Sequence, residues 1–244
     1  MSVCCDLACW PKLDHTIIDY TLTPQSRYPS TLDEVHTVYK WVARGGLGFK
    51  PTSIAVFGES AGRRMEVNST ISKRWLGGNM VAAMCLRLIR DNHPQQPCGM
   101  LLNFPALNLH LSPSPSRFLH QNDPILPRGL LEMALDAYYP AHSEITSRIP
   151  DPYVSPGVAP DDMLSQFPPT TIVVGDLDPL LDDSVDFDTR LRRLNIPGRL
   201  HVLPGLTHGF LICNAFVSAA QDAIDQSGQI LLQLLRDHHY RSSR

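Results

Sequence analysis

Three short stretches hold residue types whose spacing could carry covalent chemistry. The first is Phe57-Gly58-Glu59-Ser60-Ala61-Gly62. The residues before it, Ser53-Ile54-Ala55-Val56-Phe57, are apolar with β-branched members and read as a buried strand. Gly58-x-Ser60-x-Gly62 then fits a nucleophile elbow, a sharp strand-to-helix turn that lifts a serine hydroxyl above the end of a sheet. Glycine two residues before and two after the serine leaves room for the strained backbone. The helix that follows would aim its first N–H groups at the anion formed on attack. Alone the pattern is weak, because a serine and two glycines at fixed spacing arise by composition in roughly one chain in ten of this length.

Serine is a poor nucleophile at neutral pH and needs a base to take its proton. Neutral imidazole suits that task, and a carboxylate on its other nitrogen fixes the tautomer. Both partners stand downstream. Gly175-Asp176-Leu177-Asp178-Pro179-Leu180-Leu181-Asp182-Asp183 follows an apolar run ending at Val174, and Pro204-Gly205-Leu206-Thr207-His208-Gly209-Phe210 follows a run ending at Leu203. The chain order is Ser, then Asp, then His, each just past a strand end, as in an α/β-hydrolase. Among the acids, Asp178 competes with Asp176, Asp182 and Asp183, and either of the last two could cap the next helix. Histidines 15, 36, 93, 110, 120, 142, 201, 238 and 239 read as surface or packing residues, and none has metal-ligand spacing.

The elements that must position these groups can be read from periodicity. A helix is expected from about Leu32 to Arg44, capped by Ser30 or Thr31, and Gly45-Gly46 ends it. Thr16 to Tyr20 reads as a strand, Met80 to Arg90 as a helix, Gly99 to Phe104 as a strand and about Pro127 to Tyr139 as a helix. Residues 140 to 169 form a polar, proline-rich connection. Thr170 to Val174 is a strand, and Asp183 to Leu194 a helix with Val185, Leu191 and Leu194 inward. Arg199 to Leu203 is the last strand, Ala215 to Arg236 the terminal helix and 237–244 a frayed tail. Strands alternating with helices give an α/β fold with a mostly parallel sheet flanked by helices, and active residues gather at its strands' carboxyl ends.

Composition narrows the partners. The chain has 244 residues, 43% hydrophobic and 18% charged, with a net charge of −3, which suits one globular domain and gives no reason to expect nucleic acid. No signal peptide and no transmembrane run is expected. The cysteines at 4, 5, 9, 85, 98 and 213 suit neither a zinc site nor a disulfide framework and point to a reducing, cytoplasmic setting.

Taken together, Gly58-Glu59-Ser60-Ala61-Gly62, Asp178-Pro179-Leu180-Leu181-Asp182-Asp183 and His208-Gly209-Phe210 resemble the hormone-sensitive lipase family of α/β-hydrolases. Tyr20-Thr21-Leu22-Thr23-Pro24, Tyr28-Pro29, Ser114 to Phe118, Asp123 to Pro127 and Asp151 to Pro156 extend the resemblance, which covers about residues 15 to 62 and 78 to 236. It implies hydrolysis of carboxylic esters, with acylglycerols or sterol esters as substrates and no cofactor or metal. It assigns Ser60 as nucleophile, His208 as general base and acid, Asp178 as orienting carboxylate and Ala61 N–H as an oxyanion donor. It admits transient association with a lipid-droplet surface and leaves the oligomeric state open.

Two departures from the family pattern set further expectations. The family's His-Gly-Gly-Gly loop has no counterpart in residues 1–14, which read as a divergent N-terminus, so oxyanion donors and the first strands of the sheet are expected to be missing from this partial catalytic domain at 15–236. Losing one such donor costs about 3 kcal/mol of barrier. A catalytically inactive, truncated or splice-variant product that misfolds or only binds a partner is therefore the alternative reading. The second departure is an insert at 63–77, polar where a helix under a sheet should be apolar, which reads as an in-frame splice segment in preference to a regulatory device. As continuous helix it would carry the apolar face about 22 Å along and turn it by roughly 60°, so it is expected to loop out. Residues 105–169 are expected as a loop-rich helical segment.

Overall fold

The computed structural model describes residues 18, 20–21, 25–48, 51–60, 65–67, 71–73, 77–109, 114–139 and 151–242. Four parallel strands form the central sheet: β1 (Ala55–Glu59), β4 (Gly99–Asn103), β5 (Thr170–Gly175) and β6 (Gly198–Leu203), paired in the order β1-β4-β5-β6. The register sets Phe57 beside Leu101, Leu102 beside Ile172 and Ile172 beside Leu200. β4 and β5 are buried at every position, as strands covered on both faces must be.

Alternation along the strands divides the core. Met100, Leu102 and Ile172 face one layer, made by α1 (Ser30–Ala43), α2 (Gly78–Arg90) and α6 (Leu181–Arg193). Leu101 and Val173 face the other, where α7 (Ser218–Ser242) packs through Ala220, Ile224 and Leu231. In helix α2 every residue is buried except Arg87 and Arg90. Burying each of its larger apolar side chains contributes about 1.5–3 kcal/mol. A third cluster lies over the carboxyl ends of the strands. It joins Ala106, Leu109, Leu126, Val154 and Leu180 to Leu131 and Leu135 of α4 (Arg128–Tyr138), which follows the short helix α3 (Pro115–Leu119).

The α/β architecture expected from the sequence is the one observed, with several local corrections. α1 starts at Ser30 without a side-chain cap, so neither Ser30 nor Thr31 caps it. Of the strand expected at 16–20, only Ile18 and Tyr20 are described; neither lies in a strand, although Tyr20 is buried. The connection expected at 140–169 contains a 3-10 turn at Pro156–Val158 and the short helix α5 (Asp161–Leu164). Its burial of Val154, Ala159, Leu164 and Phe167 makes it part of the core. In α6, Val185 faces solvent while Phe187 takes the inward place assigned to it. The terminal helix begins at Ser218 and runs through Ser242, so the expected frayed tail is helical to that point. Within the expected insert, β2 (Met65–Val67) and β3 (Ile71–Lys73) pair antiparallel as a separate two-stranded sheet.

Candidate active site

Ser60 follows directly on β1 with φ of 53°, a left-handed conformation that costs a β-carbon-bearing residue energy and is found where a tight turn demands it. The neighbouring strand and helix hold that turn. Ser60 N donates to Asn103 O at 3.0 Å, and Asn79 N in the first turn of α2 donates to Ser60 O at 3.1 Å. The Asn79 side chain donates to Ala106 O and Val154 O, both at 2.8 Å, tying α2 to the segment above the sheet. Gly78 allows this approach. A β-carbon there would come within 2.8 Å of the Pro105 side chain and 3.2 Å of Ser60 O. Helix α2 has no side-chain cap, and its first-turn Asn79 N–H sets the helix's N-terminus against the elbow at Ser60 O.

Asp178 and His208 come from the loops after β5 and β6, and the two loops are tied to each other. Asp176 N donates to Leu203 O at 3.0 Å, Leu177 N to Leu206 O at 3.1 Å, and Gly205 N to the Asp176 carboxylate at 2.7 Å. Gly175 makes room, since a β-carbon there would sit 2.0 Å from Leu206 O. The result is a continuous hydrogen-bonded chain. Ser60 Oγ lies 2.8 Å from His208 Nε2, and His208 Nδ1 lies 2.9 Å from Asp178 Oδ2. Asp178 is fully buried and His208 is 3% exposed. A carboxylate only accepts, so Nδ1 carries the imidazole proton and Nε2 is left to accept from the serine hydroxyl.

The other acids of the Asp178 loop have separate partners. Asp182 and Asp183 do not cap α6; the residue at the cap position is Leu180, and both side chains reach across to the segment after β4. Asp182 accepts from Ser116 N at 2.8 Å. Asp183 accepts from Leu107 N at 3.1 Å and Asn108 N at 2.8 Å, and pairs with Arg117 at 2.9 Å. Burial pushes the Asp183 carboxyl up to about 6, against the opposing pull of Arg117 and the two amides. Burial likewise drives the Tyr20 hydroxyl far above the usual tyrosine range, with Gly77 N–H pulling the other way and the Glu59 charge adding to it.

Three residues near the serine–histidine–aspartate chain had no role assigned to them by the motifs. Phe104, at the end of β4, sets its ring edge-on to the His208 imidazole with centroids 5.0 Å apart. Its position past a strand's carboxyl end is the signal that could have found it. Asn79 stood just before the helix read at Met80 to Arg90, with nothing local to mark it. Asp123 accepts from His208 N at 3.0 Å. Of the expected site, Gly58 and Glu59 are buried at the end of β1, whereas Ala61 and Gly62 lie outside the described residues.

A cleft of about 670 Å³ lies at the opposite end of the sheet. Gln95, Arg199, His201 and Gln233 line it, and none of Ser60, Asp178 and His208 does. The hydrogen-bonded serine, histidine and aspartate lie at the other end, past the strands' carboxyl ends. Among the described residues no cluster of His, Cys, Asp or Glu could hold a metal ion.

Comparison with known proteins agrees with this architecture. The carboxylesterase NlhH of Mycobacterium tuberculosis is 30% identical over 91% of this chain and 63% of its own length. The hormone-sensitive lipase of Homo sapiens is 44% identical over 77 residues, 32% of this chain and 7% of that protein. The crystal structure of carboxyl esterase 2 from the mycorrhizal fungus Tuber melanosporum matches with a TM-score of 0.76 and 27% identity, covering 89% of this chain and 66% of that one. The chain spans 57 to 64% of the length of the first curated relatives it matches. The sequence profile described as alpha/beta hydrolase fold matches residues 2–74 and 76–212, and the chain belongs to that family.

Proposed function

We propose that this chain hydrolyses carboxylic esters through an acyl-enzyme formed on Ser60. The observation that carries the reading is the hydrogen-bonded chain from Ser60 through His208 to Asp178. In the first step Ser60 Oγ attacks the ester carbonyl while His208 Nε2 takes its proton. Asp178 stabilises the resulting imidazolium and keeps its ring aligned. The developing oxyanion lies toward the N-terminus of α2, with Ala61 N–H as the adjacent donor. His208 returns the proton to the departing alcohol, and water repeats the sequence on the acyl-enzyme.

The similarity to hormone-sensitive lipase over the segment it covers favours acylglycerol or sterol esters over small soluble ones. The proposed setting is the cytoplasm, with a lipid-droplet surface as the place where such esters are met. Among the described residues no helix is long and apolar enough to cross a membrane.

Fluorophosphonate labelling tests the reading, because the probe needs an activated serine in an assembled triad. Native protein should label and hydrolyse p-nitrophenyl butyrate, while Ser60→Ala and heat-denatured protein should do neither. Soluble, monodisperse protein that fails to label would overturn it in favour of the inactive alternative. Comparing a diacylglycerol with a sterol ester in mixed micelles then assigns the substrate class.

A further inference from the structure

The His208 loop is held by a carboxylate outside the triad. Asp123 is 5% exposed and takes three backbone N–H donors. His208 N donates to its Oδ2 at 3.0 Å, while Ile125 N and Leu126 N donate to its Oδ1 at 2.8 and 2.7 Å. The last two bonds close a local turn. The first joins residues 85 positions apart and serves no turn. One oxygen therefore anchors the carboxylate to its own segment, and the other grips the backbone of the base.

His208 needs such a grip. Its loop is flanked by Gly205 at φ of 73° and Gly209 at φ of 64°, glycines whose backbone has more conformations open to it than that of other residues. Its ring must satisfy Ser60 and Asp178 at once, on opposite nitrogens. A swing of the backbone by about 1 Å would lengthen one bond or the other, and misplacement on that scale costs about 100-fold in rate. We propose that Asp123 is the positioning residue that fixes His208 between Ser60 and Asp178, an inference that rests on the ester hydrolase reading above. The segment carrying Asp123 is itself fastened beside the catalytic acid, because Ser116 Oγ donates to Pro179 O at 2.9 Å, next to Asp178. The same segment thus sets the spacing of acid and base.

Asp123→Ala and Asp123→Asn test the assignment in the full chain. Asparagine keeps one acceptor but turns an NH2 group toward either His208 N or the Ile125 and Leu126 amides. With p-nitrophenyl butyrate, kcat should fall about 100-fold for the alanine variant and about 10-fold for the asparagine variant, with KM within about twofold of the parent. The expected graded rescue is one readout that a merely structural role would not produce. The second is the His208 Nδ1 proton resonance, expected downfield in the parent, weakened in Asp123→Asn and exchange-broadened in Asp123→Ala. If the parent neither labels nor hydrolyses esters, the function reading fails, and that resonance alone decides the positioning role. A parent-like kcat in folded Asp123→Asn and Asp123→Ala, or an unchanged His208 resonance in both, overturns the proposal.

Discussion

Two junctions at the carboxyl end of the sheet reach similar precision by different routes. Between β5 and α6 the chain ends a strand at Gly175 and opens a helix at Leu181, and Asp178 is set by its neighbours, with Leu180 N donating to its Oδ1 at 2.7 Å. Between β1 and α2 the chain leaves Ser60, makes a separate hairpin, and returns at Gly77. Yet α2 still lands on the serine, through Asn79 N to Ser60 O. The first junction is a short contiguous turn, braced from outside by the β6 loop and by the segment after β4. The second is fixed by contacts that ignore chain continuity: Asn103 O on one side, Asn79 and Gly78 on the other. Ser60 thus keeps contact with the first turn of α2 although its chain does not run directly into that helix.

The largest test of the comparison lies at the tight junction. Asp178→Asn keeps the shape but puts a donor against His208 Nδ1, favouring the wrong tautomer. Ester hydrolysis should fall about 10⁴-fold in kcat with little change in melting temperature. A drop under about tenfold would mean that Asp178 does not orient His208. At the second junction, Gly78→Ala pushes a methyl against Pro105 and Ser60 O. Overpacking of this kind costs about 1–3 kcal/mol of stability. The displaced serine should lose about 100-fold in kcat. If Gly78→Ala labels with fluorophosphonate at the parent rate, α2 does not hold the elbow.

A smaller effect probes how the tight junction is braced. The folded Asp183 carboxyl titrates at about 6, above its ordinary value of 3.8, because it is buried. Between those two values the folded chain binds more protons at this site than the unfolded chain does. This group alone therefore makes stability fall as pH rises through that window, with no contribution to the slope outside it. Asp183→Asn removes the titration. Its melting temperature should gain on the parent between about pH 4 and pH 6, then run parallel. The opposite slope would mean that the Arg117 ion pair outweighs the cost of burial.

These carboxylates also mark where sequence reading stops. Elements with strong periodicity were legible: α2, β4 and β5 are found within a few residues of their expected places, because apolar patterning and burial are the same fact. The order of Ser60, Asp178 and His208 was legible because each falls just past a strand. Asp182 and Asp183 looked like caps because acids favour helix starts, whereas their partners lie 66 to 76 residues away. Asp123 fell in the stretch at 123–127 that extends the family resemblance, but nothing local pointed to His208, 85 residues away. Phe187 displaced Val185 from the core because α6 also buries Ser184 and Asp188, a polar stripe that blurs its apolar face. The end of α7 was misplaced because Asp237, His238 and His239 give no apolar period, although the helix continues through them.

The expected insert provides the finest test. Residues 63–77 number fifteen, and Asn79 stands nineteen after Ser60. Subtracting fifteen from nineteen leaves four, so without the insert Asn79 N to Ser60 O becomes an ordinary i to i+4 helical bond. Val81 N, which donates to Gly77 O at 2.9 Å, would find Gly62 at the same offset. The hydrogen-bond register of an uninterrupted helix is thus kept across the gap, with Gly77 standing where Gly62 would. Removing 63–77 and joining Gly62 to Gly78 should preserve the serine's support. We expect p-nitrophenyl butyrate hydrolysis within about threefold of the parent and stability equal or higher, since closing a shorter loop costs less entropy. Loss of Ser60 labelling in a folded deletion variant would show that the hairpin contributes to the site, and that the second junction depends on its own chain after all.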